Sequence, residues 1–511
     1  MAQTIYTVGN ATLADIGGII AMRLLYVDID TIRADHLGCY GYRRNTSPAI
    51  DAIAREAIRF ESVYASDTPC GPSRSALISG RFGIHNGVVG HGGTGADPFL
   101  EGAARGFQSR GAATSWARRM RSIGMHTATI STFGERHSAY HWDAGFNEVI
   151  NLGTMGFETA DQVAPLALDW LARNGARDNW FLHVHLWDPH TPYRTPDSYG
   201  EPFANDPAPD WITEEIRAHH WTMPGPHSAQ EMVGFKPGEH GVSERFTRQP
   251  QQVTSMAEIR RMFDGYDVGI RYADDHIGRF MNKLAEIRVL DETAVMISGD
   301  HGETLGELGI YCDHHTADEC VTHLPMVLKW PGLDGGRVDH GLHYQIDVAA
   351  TVLQLLGARV PSNWDGAGFA DALRKGVEAG REYLVVSQGA WTAQRAVRFG
   401  DYICIRTYHD GYHGLPEIML FDLKRDPHET RDLGREQPEL ATRALAKLED
   451  WYGRQMMRST TGIDPLWTVL REGGPWHVRG HLKEYLERLR ETGRGDWADR
   501  IAADHADDLR F

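Results

Sequence analysis

Short apolar runs alternate with longer segments of helical periodicity over the first 380 residues or so of the chain. Runs with the length and β-branched content of buried strands lie at 23–30, 127–131, 180–186 and 293–298. Apolar positions recur with the helical period at 47–60, 161–174 and 256–287. Ser47 before Pro48 is a typical helix start. This alternation predicts an α/β fold with a large, mainly parallel sheet flanked by helices, which binds ligands beyond the carboxyl ends of its strands.

The pattern changes after residue 380. Short alternating segments at 383–387, 391–398, 402–406 and 417–421 predict a smaller C-terminal antiparallel sheet with a packed helix. We therefore divide the chain into an N-terminal extension, an α/β domain that holds the site, a small C-terminal α+β subdomain, and a helical tail (1–21, 22–380, 381–455 and 456–511). We expect the tail to serve assembly into a homo-oligomer. Residues 192–255, rich in Pro, Gly and His, are predicted to form an excursion over the active-site face.

Charge and cysteine content narrow the classes of partner. The chain has 511 residues, a net charge of −17 and five cysteines. A negative charge argues against a nucleic-acid partner, but a metal and a few local cations can still attract a small anionic substrate. The odd number of cysteines without a C-x-x-C pair indicates a reducing compartment. Residues 1–21 lack the features of a signal peptide and no apolar stretch of about 18 residues occurs, so we expect a cytoplasmic protein with no membrane span.

The segment TPCGPSRSALISGR (68–81) is the most specific pattern in the chain. Arg74 follows Cys70 by four residues, which is about one helical turn. The run Cys-x-Pro-x-Arg before a helix and a Gly-Arg resembles the signature of the type I sulfatases of the alkaline phosphatase superfamily. The resemblance implies an alkaline-phosphatase-like fold and a Cys70 oxidised to formylglycine by a formylglycine-generating enzyme. The hydrated aldehyde would be the nucleophile, and Arg74 would stabilise it and the developing charge.

Two acidic motifs, DTIRADHLGCYG (30–41) and ISGDHGE (297–303), lie at predicted strand ends. They resemble the two metal motifs of the sulfatases, which implies one divalent ion held by Asp30, Cys70, Asp300 and His301. Many members have Asp-Asp where this chain has Asp30-Thr31, and Asp-Asn where it has Asp300-His301. The change removes a carboxylate and adds a nitrogen, which makes Mn²⁺ as suitable as Ca²⁺. Asp28 lies on the same strand face as Asp30, and we expect it behind the ligands.

Histidines supply the remaining candidate chemistry. WDPHTPY (187–193) resembles the sulfatase loop whose histidine protonates the leaving group, so His190 is predicted to be the general acid. HHT (314–316) stands where the family commonly has Lys-His-Thr. His315 is thus a predicted catalytic residue and His314 a predicted substrate ligand, and one of the two is expected to contact the sulfuryl oxygens.

A lysine that many sulfatases carry near the nucleophile is missing. ISTFG (130–134) has Thr132 in its place, and we place Thr132 among the catalytic residues. His91, His137 and His141 are candidates for compensating charge, and His91 is predicted to bind substrate.

The resemblance extends from about residue 23 to about 455 and predicts hydrolysis of sulfate esters, of the aryl sulfate type, through a covalent sulfo-enzyme intermediate. The departures at Thr31, Thr132 and His301 resemble the branch that includes phosphonate monoester hydrolases. A phosphonate monoester or phosphodiester hydrolase with the same site, and a promiscuous enzyme, therefore stay open. An interpretation from another class is a metal-binding protein with an inert, unmodified Cys70.

Overall fold

The central element of the fold is a sheet that carries the predicted motifs at one edge. A computed structural model describes residues 22–100, 110–239 and 245–510, so the predicted N-terminal extension (1–21) lies outside the described residues. Within this part of the chain, five of the seven strand pairs in an eight-stranded sheet are parallel. The strand order across the sheet is Arg337–Tyr344, Ile58–Tyr64, His323–Lys329, Thr293–Ser298, Arg23–Ile29, Trp180–Leu186, His126–Ile130, Glu148–Ile150.

The four strands predicted for the α/β region are confirmed, because helices and loops cover both faces of the sheet and favour continuous apolar runs. All seven residues of Arg23–Ile29 and all seven of Trp180–Leu186 are buried. The predicted helices at 161–174 and 256–287 are observed as Ala160–Asn174 and Met256–Glu286. They contribute Trp170 and Phe263 to the same apolar cluster on one side of the sheet.

The helix predicted at 47–60 is too long. The observed helix is Pro48–Ala54, and Ile58–Tyr64 is a strand paired with His323–Lys329 and Arg337–Tyr344. The sequence IRFESVY buries Ile58 and Phe60 and leaves Arg59 and Glu61 partly exposed, which is the two-residue period of a strand. Its apolar residues also fit the helical period of the preceding segment, and this overlap concealed the boundary.

The C-terminal sheet is antiparallel as predicted, with one addition from the nucleophile region. Its strand order is Ile418–Asp422, Tyr402–His409, Ala393–Phe399, Tyr383–Gln388, Asp67–Thr68. The last pair is parallel and joins Thr68, two residues before Cys70, to Gln388. The helix Pro438–Arg458 packs Leu448 and Trp451 on this sheet. The C-terminal sheet therefore supports the segment that carries the predicted nucleophile.

The predicted tail is helical, with helices Pro465–Arg471, Leu482–Glu491 and Gly495–Asp504. Other described elements are the hairpin Thr304–Leu305 with Tyr311–Asp313 and the helices Cys70–Ser79, Gly83–Asn86, Arg110–Thr114, Trp116–Ser122, Phe133–Arg136, Glu214–His220, Glu319–Thr322, Gln345–Leu355 and Ala370–Lys375. No helix in residues 22–100, 110–239 or 245–510 is both long and apolar enough to cross a membrane.

Candidate active site

Cys70 is the first residue of the helix Cys70–Ser79, at the edge of the central sheet. Its side chain is buried, and its Sγ lies 2.9 Å from His301 Nε2. Ser73 fixes the helix to the metal motif, because its hydroxyl donates to the Asp300 carbonyl at 2.6 Å. The helix ends at Gly80 with φ 66°, where a Cβ would lie 1.9 Å from the ring of Trp364, so only glycine fits. Packing thus holds the helix of the predicted nucleophile at both of its ends.

Three adjacent parallel strands bring the predicted metal ligands to Cys70. Asp30 follows Arg23–Ile29, Asp300 and His301 follow Thr293–Ser298, and Trp180–Leu186 lies on the other side of Arg23–Ile29. One atom from each of Asp30, Cys70, Asp300 and His301 lies within 4.8 Å of the others, and all four side chains are buried. The strand order therefore assembles the set that the sequence motifs predicted.

The donors in this set fit one divalent ion. His301 Nδ1–H donates to the Gly302 carbonyl at 2.8 Å, which leaves Nε2 with a lone pair toward Cys70. Asp30 Oδ1 is buried without a hydrogen-bond partner in the described part of the chain, 3.9 Å from His301 Nε2. The carboxylate oxygens suit Ca²⁺, and the added imidazole nitrogen makes Mn²⁺ equally suitable.

Arg74 lies beneath this set rather than in the cleft. Its guanidinium bonds to Asp30 Oδ2 at 2.9 Å, to Asp28 Oδ2 at 3.0 Å and also to Asp300 Oδ2. It also donates to His185 Nε2 at 2.7 Å. Burial raises the pKa of Asp28 and of Asp30, but the Arg74 charge outweighs it, so the pKa of Asp28 falls to about 2 and that of Asp30 lies well below its usual range. Arg74 thus keeps these carboxylates ionised.

His190 faces the site through one ring nitrogen. Nδ1–H donates to the Thr191 carbonyl, so Nε2 is the free nitrogen, 3.9 Å from Asp30 Oδ1. Burial lowers the pKa of His190 to about 3, against the opposing charge of Asp30. The ring is therefore neutral in the free site at neutral pH, and an anion beside Nε2 would raise this pKa because it stabilises the imidazolium.

The two adjacent histidines at 314 and 315 separate in the structure. His314 lines the cleft with its ring centroid 4.2 Å from that of His301. His315 is fully buried, with Nδ1 3.0 Å from His413 Nε2 and Nε2 3.5 Å from Asp313 Oδ1. Of the two, His314 is the one placed to meet a substrate. The structure puts His315 behind Asp313, and its catalytic role stays a prediction.

Asp313 and His227 escaped the sequence analysis. Both line the cleft, and His227 Nε2 lies 3.2 Å from Asp313 Oδ2. Burial raises the pKa of Asp313, but the neighbouring histidines outweigh it and hold the pKa well below its usual range. His227 belongs to the predicted excursion, 86 positions before Asp313, so no local pattern could have joined the two.

Thr132 does not line the cleft. Its hydroxyl donates to Glu158 Oε1 at 2.6 Å and accepts from Trp187 Nε1 at 3.1 Å, and the residue is fully buried. The strand end where many sulfatases have lysine thus supplies no cation here. Arg136, one helical turn later, does line the cleft, with its guanidinium 5.0 Å from the centre of the Trp187 ring.

The three histidines proposed for compensating charge differ in position. His91 and His137 line the cleft with ring centroids 4.7 Å apart, whereas His141 Nε2 is 2.7 Å from the Ser75 hydroxyl, outside it. Burial lowers the pKa of both His91 and His137 well below the usual range, so both rings are neutral at neutral pH. Arg136, not these histidines, carries fixed positive charge here.

The cleft above Cys70 has a volume of about 1110 Å³. Its floor is formed by Cys70, His190, His314 and Asp313. Its walls include the predicted excursion, through Phe235 and Gln249, and the C-terminal tail, through Trp476 and Arg479. A cleft of this size holds a substrate much larger than a sulfate group.

Comparison with known proteins identifies the family of the chain. The sulfatase family profile matches residues 23–358, and a profile described as N-sulphoglucosamine sulphohydrolase, C-terminal, matches 306–450. The N-acetylglucosamine-6-O-sulfatase of Bacteroides thetaiotaomicron is 22% identical over 473 residues, covering 80% of this chain and 82% of that protein. The choline-sulfatase of Rhizobium meliloti is 25% identical over 437 residues, covering 76% and 77%.

Among solved structures, the phosphonate monoester hydrolase of Agrobacterium radiobacter superposes with a TM-score of 0.65 at 18% identity, covering 85% of this chain and 96% of that one. This likeness shows a shared fold. The sulfatase profile spans the nucleophile helix, both metal motifs and the strands that carry them. The chain belongs to the sulfatase family.

Proposed function

We propose that the protein hydrolyses sulfate esters, aryl sulfates among them, with a formylglycine formed from Cys70 as nucleophile. The observation that carries this proposal is the contact of Cys70 Sγ with His301 Nε2 at 2.9 Å, inside a buried set of carboxylates at the floor of a large cleft. Burial, together with the charges of Asp30 and Asp300, raises the pKa of the Cys70 thiol well above its usual value. An unmodified Cys70 would thus be a protonated, poor nucleophile.

The proposed reaction has two steps that together consume one water. One hydroxyl of the hydrated aldehyde attacks sulfur, the bond from sulfur to the ester oxygen breaks, and the alcohol leaves with a proton. The second hydroxyl then loses its proton, the carbon–oxygen bond to the sulfo group breaks, and sulfate leaves as the aldehyde re-forms and takes up water. A plain hydroxyl would stop at the sulfate ester, which explains the value of the modification.

His190 is proposed to give the proton to the leaving alcohol. Its Nε2 lies 3.9 Å from Asp30 Oδ1, while Nδ1–H donates to the Thr191 carbonyl. Because burial keeps the free ring neutral, the proton arrives when the anionic ester enters and raises the pKa of His190. His314, beside His301, is proposed to contact the sulfuryl oxygens.

Asp30, Asp300 and His301, with the modified residue 70, are proposed to hold one Ca²⁺ or Mn²⁺. The ion would polarise the sulfuryl oxygens and favour ionisation of the nucleophile. Arg74 keeps Asp30 and Asp28 ionised, and Ser73 fixes the Asp300 backbone to the nucleophile helix. These residues act by position and charge before any substrate arrives.

A phosphonate monoester or phosphodiester hydrolase is the second candidate, favoured by the environment of Thr132. The hydroxyl of Thr132 is bonded to Glu158, so the strand end provides no lysine charge to select one tetrahedral anion over another. The experiment is a comparison of kcat/KM on 4-nitrophenyl sulfate, a phenyl phosphonate monoester and a bis-nitrophenyl phosphodiester. We expect the highest kcat/KM on the sulfate ester. A higher kcat/KM on either phosphorus ester would favour the second candidate.

The comparison needs a control for contaminating hydrolases. Cys70→Ala protein, purified identically, should lose activity on all three substrates because they share one nucleophile. Loss on one substrate only would mean that the others are hydrolysed by a different protein or site.

A further inference from the structure

The C-terminal tail reaches the active-site cleft, although it lies beyond both family profiles, which end at residues 358 and 450. Four of its side chains line the cleft: Trp476, His477, Arg479 and His481. The sequence suggested assembly as the role of this segment, and that role stays untested. Its position shows in addition that the tail forms one wall of the site.

The tail is firmly attached to the rest of the molecule. Arg494 Nη2 pairs with Glu231 Oε1 at 2.6 Å, and both side chains are buried. Val478, Leu482 and Tyr485 pack with Tyr412 in an apolar cluster. A buried ion pair and an apolar cluster hold the segment in one position, as a rigid subsite requires.

A short chain of contacts leads from the tail to the nucleophile. The Gly71 N–H donates to His91 Nε2 at 3.3 Å, so His91 Nδ1–H donates to His477 Nε2 at 3.0 Å. His477 also stacks on Trp391 with ring centroids 4.5 Å apart and an interplanar angle of 20°. Residue 477 therefore lies two contacts away from the residue after Cys70.

Trp476 lines the cleft with a partly exposed indole, and the Arg479 guanidinium lies over this ring, 5.7 Å from its centre. The residue is 47% exposed, and its ring lies so close to Gly92 that a Cβ there would come within 2.2 Å of the indole. Phe157, which also lines the cleft, is 44% exposed. Exposed aromatic faces in a concave site are suited to a flat or carbon-rich ring.

We propose that residues 476–481 form the subsite for the alcohol portion of the ester, and that a six-membered ring of this alcohol, aryl or pyranose, packs on Trp476. This inference rests on the proposed function, because it takes the sulfuryl group to lie at Cys70. The two kinds of ring share a face of carbon and hydrogen with polar groups at its rim. The exposed part of the indole can contact such a face, and Arg479 and His481, which also line the cleft, can meet the polar groups.

The test measures binding by calorimetry to full-length Cys70→Ala protein, which cannot turn the esters over. The ligands are 4-nitrophenyl sulfate, N-acetylglucosamine 6-sulfate, ethyl sulfate as an ester without a ring, and inorganic sulfate. Adding Trp476→Ala should weaken the binding of at least one ring ester about tenfold. The affinities for ethyl sulfate and inorganic sulfate should stay within about twofold. The ring ester that loses affinity identifies the ring as aryl or pyranose.

The chain offers a matched control in Trp467, which is in the same tail and 44% exposed but packs near Tyr408 outside the cleft. Trp467→Ala should leave all four affinities unchanged, and Trp476→Phe should restore most of the ring affinity. Equal loss for all four ligands, or no loss for either ring ester, would overturn the subsite. If the parent protein bound none of the sulfate ligands, the proposed function itself would fail, and the subsite with it.

Discussion

The floor and the wall of the cleft are built in different ways. Beneath the floor lie the predicted metal ligands Asp30, Asp300 and His301, which follow adjacent strands of one sheet and are buried in a dense set of ion pairs and hydrogen bonds. The wall is made of loops and of residues 476–481 of the C-terminal tail. Residues that do chemistry must be held rigidly, and a sheet edge does this. Residues that choose the substrate can lie on loops and added segments, where one sequence differs from another at little cost to the fold.

The largest expected effect is on the floor, at Cys70. Cys70→Ala should lower kcat by about 10⁴-fold or more, because it removes the nucleophile while leaving the cleft intact. The measurement is kcat on 4-nitrophenyl sulfate, together with the circular dichroism spectrum to confirm folding. Cys39 is half-buried and is not part of the cleft lining, so it provides the control, and Cys39→Ala should keep its activity. Equal loss in both variants would contradict the assignment.

The next largest expected effect is the loss of the bound metal ion. Asp300→Ala and Asp30→Ala should each lose the single bound ion, measured by plasma mass spectrometry on dialysed protein, and activity should fall with it. The group His409, Asp410 and His505 is a matched control, since its donor atoms lie equally close together but outside the cleft. If His505→Ala removed the ion and Asp30→Ala did not, the catalytic ion would have been assigned to the wrong group.

At His190 a role in proton transfer can be distinguished from a role in positioning the substrate. His190→Ala should slow esters with poor leaving groups by about 10²–10⁴-fold more than nitrophenyl esters, because only the poor leaving groups need a proton. The measurement is the dependence of kcat/KM on leaving-group pKa in the wild type and the variant. Parallel slopes would mean that His190 only positions the substrate, and His314 would become the better candidate for the acid.

The smallest expected effect is on stability, and it concerns His505, which helps to attach the C-terminal tail to the rest of the molecule. Burial lowers the pKa of His505, but the carboxylates of Asp410 and Asp508 outweigh it and raise the pKa to about 9. A raised pKa means that His505 stabilises the fold fully below about pH 6.5 and loses this contribution as the pH rises through about 9. The difference in Tm between wild type and His505→Gln should therefore be largest near pH 6 and vanish above about pH 9. A difference independent of pH would mean that His505 contributes by packing alone.

The contrast between the sheet edge and the cleft wall also explains which features could be predicted from the sequence. The strands at 180–186 and 293–298 have the predicted bounds, because both faces are buried and the apolar run is unbroken. The ligand set Asp30, Asp300 and His301 was predictable since each residue lies within three positions of the end of a buried strand, and parallel neighbours end at one edge.

The rest of the cleft lining could not be predicted in this way. His227, Asp313 and Trp476 come from three distant parts of the chain and meet only through tertiary packing. Thr132 was placed in the site by analogy with a lysine, but a short hydroxyl side chain does not reach the cleft and bonds to Glu158 instead. His315 has the right position in its motif, yet its neighbour His314 faces the cleft.

The most direct test of the central claim is the mass of the peptide that contains Cys70, taken from active enzyme. We predict that oxygen has replaced sulfur at residue 70, as an aldehyde or its hydrate, and that the modified fraction across preparations is proportional to kcat. A fully active preparation in which every Cys70 is an unmodified thiol would contradict it.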